Sequence, residues 1–391
     1  MLSRALKQTA TVRRGPAALV NLGHMFADRP HTAPDFLLSR STGSVRTFGA
    51  ARTFTDAHAA AAALKCGEAD MVVGALPFNS DDKAALTQPV ESQREKGPLE
   101  PPAHFRGRGV RAAITGMDPD PAEHLRRVEA AISTIRSSTL EKVVLARAVD
   151  VEFTEAVDPR VIAARLIDKS ANRDGFVADL SPAGRDGATL VGSSPEVLIK
   201  RQGCTVSAFP LAGSAPRSSD PTADHAAAES LRGSAKDQSE HRFVVEHLRR
   251  VLAPLCSELD IPEAPQLTST TEMWHLGTPI TGTLRDSSIT ALELAMDVHP
   301  TPAICGTPAA AAEALIQTAE SDRGFYAGAV GWCDSSGNGE YMVAIRCAEV
   351  APDWRHARTW AGGGIVADSD PDGELKETTA KLRTILTSLG L

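Results

Sequence analysis

Apolar positions fall along this chain in two periods. Residues 55–67, "TDAHAAAAALKCG", read as an Ala-rich helix closed by Gly67, and "MVVGALPF" (71–78) reads as a buried strand. Residues 79–102 are polar and carry Pro, which predicts an exposed loop. "PAEHLRRVEAAISTIRSS" has helical spacing, and "KVVLARAVDVEF" (142–153) is a strand rich in β-branched residues. "DPRVIAARLIDKS" predicts a helix with Asp158 as N-cap and Pro159 at its first position. "GFVADL", "ATLVGSSPEVLIKR" and "TVSAFPLAG" follow as strands, then one long helix over roughly 222–253. The last third adds "HLGTPITGTL", a helix near 288–297, three strands ("FYAGAVGWCD", "EYMVAIRCAEV", "TWAGGGIVAD") and a terminal helix. The stretch after Asp334, residues 335–339, reads as a hairpin turn. Hairpin-like runs interleaved with helices predict an α+β fold with antiparallel sheets rather than regular βαβ alternation.

The long helix carries acids within its apolar stripe. With Glu240 at zero and about 100° per residue, Val251 falls near 20°, Val244 near 40°, Asp237 near 60° and Leu248 near 80°. A buried carboxylate is costly unless a cation meets it. In the terminal helix, Leu375, Leu382, Ile385, Leu386 and Leu389 define the stripe, with Glu374 and Lys381 on its flank. Glu374, Glu377 and Lys381 share one face. Two readings stand open: a solvated face with an i,i+4 ion pair, or acids from two helices converging on a hard divalent cation. Carboxylates plus water suit Mg²⁺.

Composition narrows the field. The chain has 391 residues, 42% hydrophobic and 23% charged, enough for a sizeable core. A net charge of −8 without long basic runs argues against a nucleic-acid surface. No apolar run is long enough to predict a membrane span. Six scattered cysteines without a C-x-x-C pair imply reduced thiols and a cytoplasmic enzyme. Residues 1–33 are expected to be a poorly ordered extension, with a single domain over 34–391. No Walker A, dinucleotide fingerprint, G-x-S-x-G or H-E-x-x-H occurs.

The ordered segments "KVVLAR", "GSSPE", "PLAGSAPR", "KDQSEHRFVV", "HLGTPITG", "HPTPAICGTP", "DRGFYAGAVGW", "VAIR" and "AGGGIVADSDPDGELKETTAK" resemble the successive motifs of the chorismate-utilising enzymes, and within them the isochorismate synthases. The resemblance is strong from about 115 to 391 and weaker over 35–114. It implies two packed antiparallel sheets with helices outside, and a Mg²⁺-dependent rearrangement of chorismate in which water adds at ring C2 and the C4 hydroxyl leaves. Lys142 matches the base that activates water, for which it must be neutral. Glu196 matches the acid that protonates the departing hydroxyl, held protonated by apolar surroundings. Glu240 and Glu377 match direct metal ligands, with Asp237 and Glu374 holding metal-bound water and Lys381 balancing the cluster. Tyr326 and Arg346, with the backbone near Gly362, match a site for the enolpyruvyl carboxylate. His275, Gly213 and Ser214 are implied beside the ring. Read without the motifs, Lys142, Glu196 and Arg346 are ordinary surface or ion-pair residues and His275 a core histidine.

Lys142 is present, and Ala212 stands where ammonia-using relatives carry an extra lysine, so the resemblance implies water as nucleophile. The pair Ala303–Ile304 is similar to the small-then-aliphatic pair of isochorismate synthases rather than that of salicylate synthases, which go on to eliminate pyruvate. A relative that binds chorismate without turnover is the alternative from another class. A siderophore or menaquinone pathway is the expected destination, and a monomer the expected state.

Overall fold

The computed structural model describes residues 35–107 and 109–391, so the extension expected over 1–33 lies outside the described residues. Among the described residues seventeen strands join in one antiparallel network, and three more form a separate small sheet. Half of the network runs through Cys256–Asp260, Ile280–Leu284, Thr205–Phe209, Val197–Gln202, Gly339–Val343, Ala329–Asp334 and Met71–Leu76. The other half runs through Phe36–Arg40, Gly175–Asp179, Thr189–Gly192, Cys347–Val350, His356–Ile365 and Lys142–Phe153. Ala112–Asp118 and Gly306–Thr307 complete the outer edge of this second half. Gly43–Phe54 and Ala85–Glu95 hydrogen-bond the halves together. Val73, Ile199 and Tyr341 from one half share a continuous core with Leu38, Leu145 and Leu190 from the other. The α+β class expected from the sequence is what the chain adopts.

Prolines route the chain between the sheets. "TVSAFPLAG" is two strands, Thr205–Phe209 in the large network and Leu211–Pro216 in the small sheet, parted at Pro210. "HLGTPITGTL" divides in the same way at Pro279, between Met273–Gly277 and Ile280–Leu284. Proline has no N–H for a ladder, so each crossing falls where pairing must stop. The run around "GSSPE" also splits, between Thr189–Gly192 and Val197–Gln202, which leaves Glu196 at a strand entrance.

Several expectations need correction. Residues 79–102 are not one loop: Ala85–Glu95 is a strand whose outer half is exposed and therefore polar. The helix expected over 222–253 is two, Pro221–Gly233 and Ala235–Leu252. Gly233 weakens the first, and Ser234 caps the second by accepting the Asp237 N–H at 3.2 Å. On the terminal helix, Pro371–Ser388, Glu374 is not on the flank of the buried face but in it, 1% exposed, in line with Thr378, Leu382 and Ile385. Helix Ala309–Ala319 and the strands Phe36–Arg40 and Gly43–Phe54 had not been anticipated.

Candidate active site

A cleft of about 720 Å³ opens where the small sheet, the Ala235–Leu252 helix, the terminal helix and the adjacent strands Lys142–Phe153 and His356–Ile365 meet. Of the residues singled out in the sequence, Glu196, Gly213, Ser214, Glu240, His275, Ala303, Ile304, Tyr326, Arg346, Gly362, Glu377 and Lys381 line it. Lys142 and Asp237 stand directly behind this lining, against Glu240 and Gly213, and Glu374 lies beside Gly363 of the adjacent strand.

Strand alternation places Lys142. It lies two residues before Val144, which lines the cleft, so both side chains leave the same face of the strand. The amine is 0% exposed, and its Nζ lies 3.0 Å from Glu240 Oε1 without the alignment of a hydrogen bond. A buried amine held by one ionic contact keeps N–H groups free for a further acceptor.

The neighbouring strand makes room for these charges with three consecutive glycines. A Cβ at Gly364 would stand 2.1 Å from Glu240 Oε1 and 3.1 Å from Lys142 Cε. One at Gly363 would stand 2.8 Å from Glu374 Oε2, and one at Gly362 would stand 3.2 Å from the Tyr326 hydroxyl. Glycine costs strand stability, and here that cost secures close approach of a carboxylate or hydroxyl to the backbone.

Each acid beside this strand meets a lysine. Lys236 Nζ is 2.6 Å from Glu374 Oε1, and Lys381 Nζ is 2.6 Å from Glu377 Oε1. Ser214 donates to Glu377 Oε1 at 2.8 Å, and Ser369 donates to Glu374 Oε1 at 2.9 Å. Burial pushes Glu374 up to about 7, with the Glu377 charge adding to the rise and Lys236 opposing it. Burial also raises Glu377, but the Lys381 ammonium, the Ser214 hydroxyl and Lys236 together outweigh it and hold the carboxyl below its ordinary range. Asp237 is raised chiefly by burial. It packs behind Gly213, which bulges out of the small sheet at φ 78°; a Cβ there would meet Asp237 Cβ at 3.0 Å.

These acids fit a hard divalent cation. Their donors are all oxygens, Glu374 Oε2 is buried without a hydrogen-bond partner, and the glycines keep a hollow beside it and Glu240. Among the described residues no three His, Cys, Asp or Glu side chains form a cage by themselves.

The remaining polar groups are of another kind. Glu196 is 4% exposed and faces no ion-pair partner among the described residues; its Oε1 accepts only a long bond from the Leu211 N–H, 3.4 Å. Burial pushes its carboxyl up to about 7, against the pull of Leu211, Lys142, Lys381 and Arg346. Arg346 sits at φ 51° and donates to the Lys381 carbonyl at 3.2 Å and the Thr384 hydroxyl at 3.3 Å, with no carboxylate paired to it among the described residues. Burial lowers its pKa from the ordinary guanidinium value. His275, opposite Ser214 in the small sheet, has a buried Nε2 without a partner, and burial followed by Arg346 and Lys381 pushes it down to about 3. It is a neutral ring. Burial keeps the Tyr326 phenol protonated, and the ring stacks on Trp360 at 5.6 Å. Lys381 also donates to the Gly362 carbonyl at 3.0 Å, and Ala303 and Ile304 close one wall.

Lys236, Trp360, Gly363 and Gly364 complete the site and were not singled out in the sequence. The glycine run inside an otherwise regular strand was a usable signal. A lysine in a first helical turn carries none.

A family model described as chorismate binding enzyme matches residues 57–390. "Putative isochorismate synthase MenF" of Mycobacterium tuberculosis is 47% identical over 366 residues, 92% of this chain and 97% of that protein. Isochorismate synthase DhbC of Bacillus subtilis is 42% identical over 327 residues, 82% of this chain and 81% of that protein. Among solved structures, a "putative 2,3-dihydroxybenzoate-specific isochorismate synthase, DhbC from Bacillus anthracis" superposes with a TM-score of 0.85 at 35% identity, covering 95% of this chain and 100% of that one. The chain belongs to the chorismate-binding enzyme family.

Proposed function

We propose that the chain is an isochorismate synthase, a hydroxymutase that adds water at C2 of chorismate and expels the C4 hydroxyl. The observation that carries this reading is one cleft, backed by a buried amine, that holds a buried carboxyl without an ionic partner, a set of oxygen donors and an unpaired guanidinium. The relatives named above are isochorismate synthases, which supports the same assignment.

Lys142 takes the proton from water as its oxygen bonds to C2, and the ring double bond shifts. Glu196 gives its proton to the C4 oxygen, which leaves as water. The raised Glu196 carboxyl supports the donor role near neutral pH. Arg346 and the Tyr326 hydroxyl hold the enolpyruvyl carboxylate; a guanidinium without a protein counter-ion is matched to an incoming anion. His275, Ser214 and the backbone at Gly213 orient the ring. Glu240 and Glu377 would hold Mg²⁺ directly, with Asp237 and Glu374 acting through its waters. The ion would supply positive charge to the ring carboxylate and offset the acids around it.

Free cysteines support a reducing, cytoplasmic setting. Among the described residues no helix is long and apolar enough to cross a membrane. We take residues 34–391 as one catalytic unit working as a monomer, its product entering siderophore or menaquinone synthesis. The deciding assay supplies chorismate with and without Mg²⁺ and follows isochorismate and pyruvate together. Isochorismate alone, lost on chelation and restored by Mg²⁺, is expected. Equal amounts of salicylate and pyruvate would reassign the activity, and no turnover would leave a binding protein.

A further inference from the structure

Arg323 belongs to "DRGFYAG", and its side chain has no part in the chemistry assigned above, although its carbonyl accepts the Tyr326 N–H at 2.9 Å. It is 3% exposed, on the connection between helix Ala309–Ala319 and strand Ala329–Asp334. Nε and Nη2 donate to the two carboxylate oxygens of Glu320, each at 2.8 Å. The remaining bonds leave this local pair. Nη1 donates to the Ile304 carbonyl at 2.8 Å, and Nη2 also donates to the Val144 carbonyl at 2.7 Å. Glu320 Oε1 accepts the Ala146 N–H at 2.7 Å. The Phe78 ring lies 4.5 Å from the guanidinium and closes one of its faces.

Ile304 and Val144 both line the cleft, one in the Ala303–Ile304 wall and the other two residues from Lys142. The wall is otherwise tied to this strand by the Val144 N–H to Cys305 carbonyl bond at 2.7 Å and the two-residue strand Gly306–Thr307. A buried Arg–Glu pair is a poor source of net stability beside an apolar replacement of equal size. A guanidinium is nevertheless a rigid planar fork, able to fix two carbonyls and a carboxylate at set distances as a lysine cannot.

We propose that Arg323, held by Glu320, is a positioning residue that sets the gap between the Ala303–Ile304 wall and the strand bearing Lys142, and thereby helps confine the reaction to isochorismate. The inference rests on the isochorismate synthase reading. A displaced wall leaves the enolpyruvyl arm free to fold over the ring. The ring C–O bond can then break as the C2 hydrogen moves to the enolpyruvyl CH₂, giving salicylate and pyruvate.

The test uses the full chain carrying Arg323→Lys and, separately, Glu320→Gln, whose amide oxygen still accepts the Ala146 N–H. Chorismate KM and the ratio of pyruvate to isochorismate are measured with Mg²⁺, beside melting by circular dichroism. Neither kinetic quantity depends on how much of a preparation is folded. Arg323→Lys is expected to lower kcat/KM by about 10²-fold, with raised KM and pyruvate above the wild-type level. Glu320→Gln should move both the same way by less, and it decides alone if the first variant does not fold. KM and product ratio within about twofold of wild type, with activity lost only as folded protein is lost, would overturn the proposal. The wild-type product tests the underlying activity independently, so a failure there is distinct from a failure confined to the variants.

Discussion

Two sets of charged groups line the same cleft and are balanced in opposite ways. Glu240, Glu374 and Glu377 each face a lysine at 3.0 Å or less. Glu196, Arg346 and His275 are buried and have no ionic partner among the described residues. Burial without a partner favours the uncharged form of an acid or an imidazole. It therefore leaves Glu196 with a proton to give and His275 as a neutral hydrogen-bonding ring. Arginine cannot take that route, so Arg346 remains a cation awaiting an anion. The paired set gathers carboxylate oxygens around one hollow, and oxygen donors suit a hard cation. The unpaired set suits the ends of an organic dianion and a proton transfer.

The sharpest way to break this comparison is to remove the transferable proton. Glu196→Gln keeps size and polarity but has no acidic proton, and Lys142→Ala removes the amine. Each is expected to lower kcat by about 10³-fold, in the range of lost general acid or base catalysis. KM should change little for Glu196→Gln, since an amide still occupies the site. Steady-state kinetics on chorismate measures both, and a loss below about tenfold for either variant would remove that residue from the chemistry.

A smaller effect sharpens the contrast between the two sets. Arg346→Lys keeps the charge and loses the planar fork, so it should raise KM for chorismate by about tenfold with a lesser change in kcat. The Mg²⁺ concentration giving half-maximal rate should stay as in wild type. If that concentration shifted while KM did not, Arg346 would belong to the cation-binding set.

Much of this division was legible in the sequence because it violated a pattern. Glu240 stood out as a carboxylate within an apolar helical stripe, and it proved buried. Glu374 was placed only on the flank, because Thr378 beside it on the buried face gives no apolar signal; the structure puts both inside. The ordered motifs carried Arg346 and Tyr326, whereas local sequence does not show that a non-glycine residue adopts φ 51°. Lys236 was illegible, since lysine at a helix start is ordinarily solvated and only packing against Glu374 gives it a role. Strand Ala85–Glu95 was lost because exposed strand residues need not be apolar, and the break at Ser234 because a continuous periodicity hid the cap. The fold class followed from hairpin spacing. Which strands exchange sheets did not, although Pro210 and Pro279 mark both crossings.

The mildest perturbation is pH, and the alkaline decline it produces is assigned to Glu196. Burial raises this carboxyl to about 7, and only its protonated form can donate. Below that value the group is mostly protonated and kcat/KM should not be limited by it. Above it, kcat/KM should fall with a limb approaching tenfold per pH unit. The same shift acts on folding. Between the ordinary carboxylate range and about 7 the folded chain holds a proton at Glu196 that the unfolded chain has released. This group therefore draws stability down as pH rises through that window and adds no further dependence above it. In Glu196→Gln the alkaline limb should vanish from the residual activity, and the decline in denaturation midpoint should lessen, the remainder falling to Glu374, which burial also raises to about 7. A limb that survived the substitution unchanged would assign the titration to another group and leave Glu196 without its role as acid.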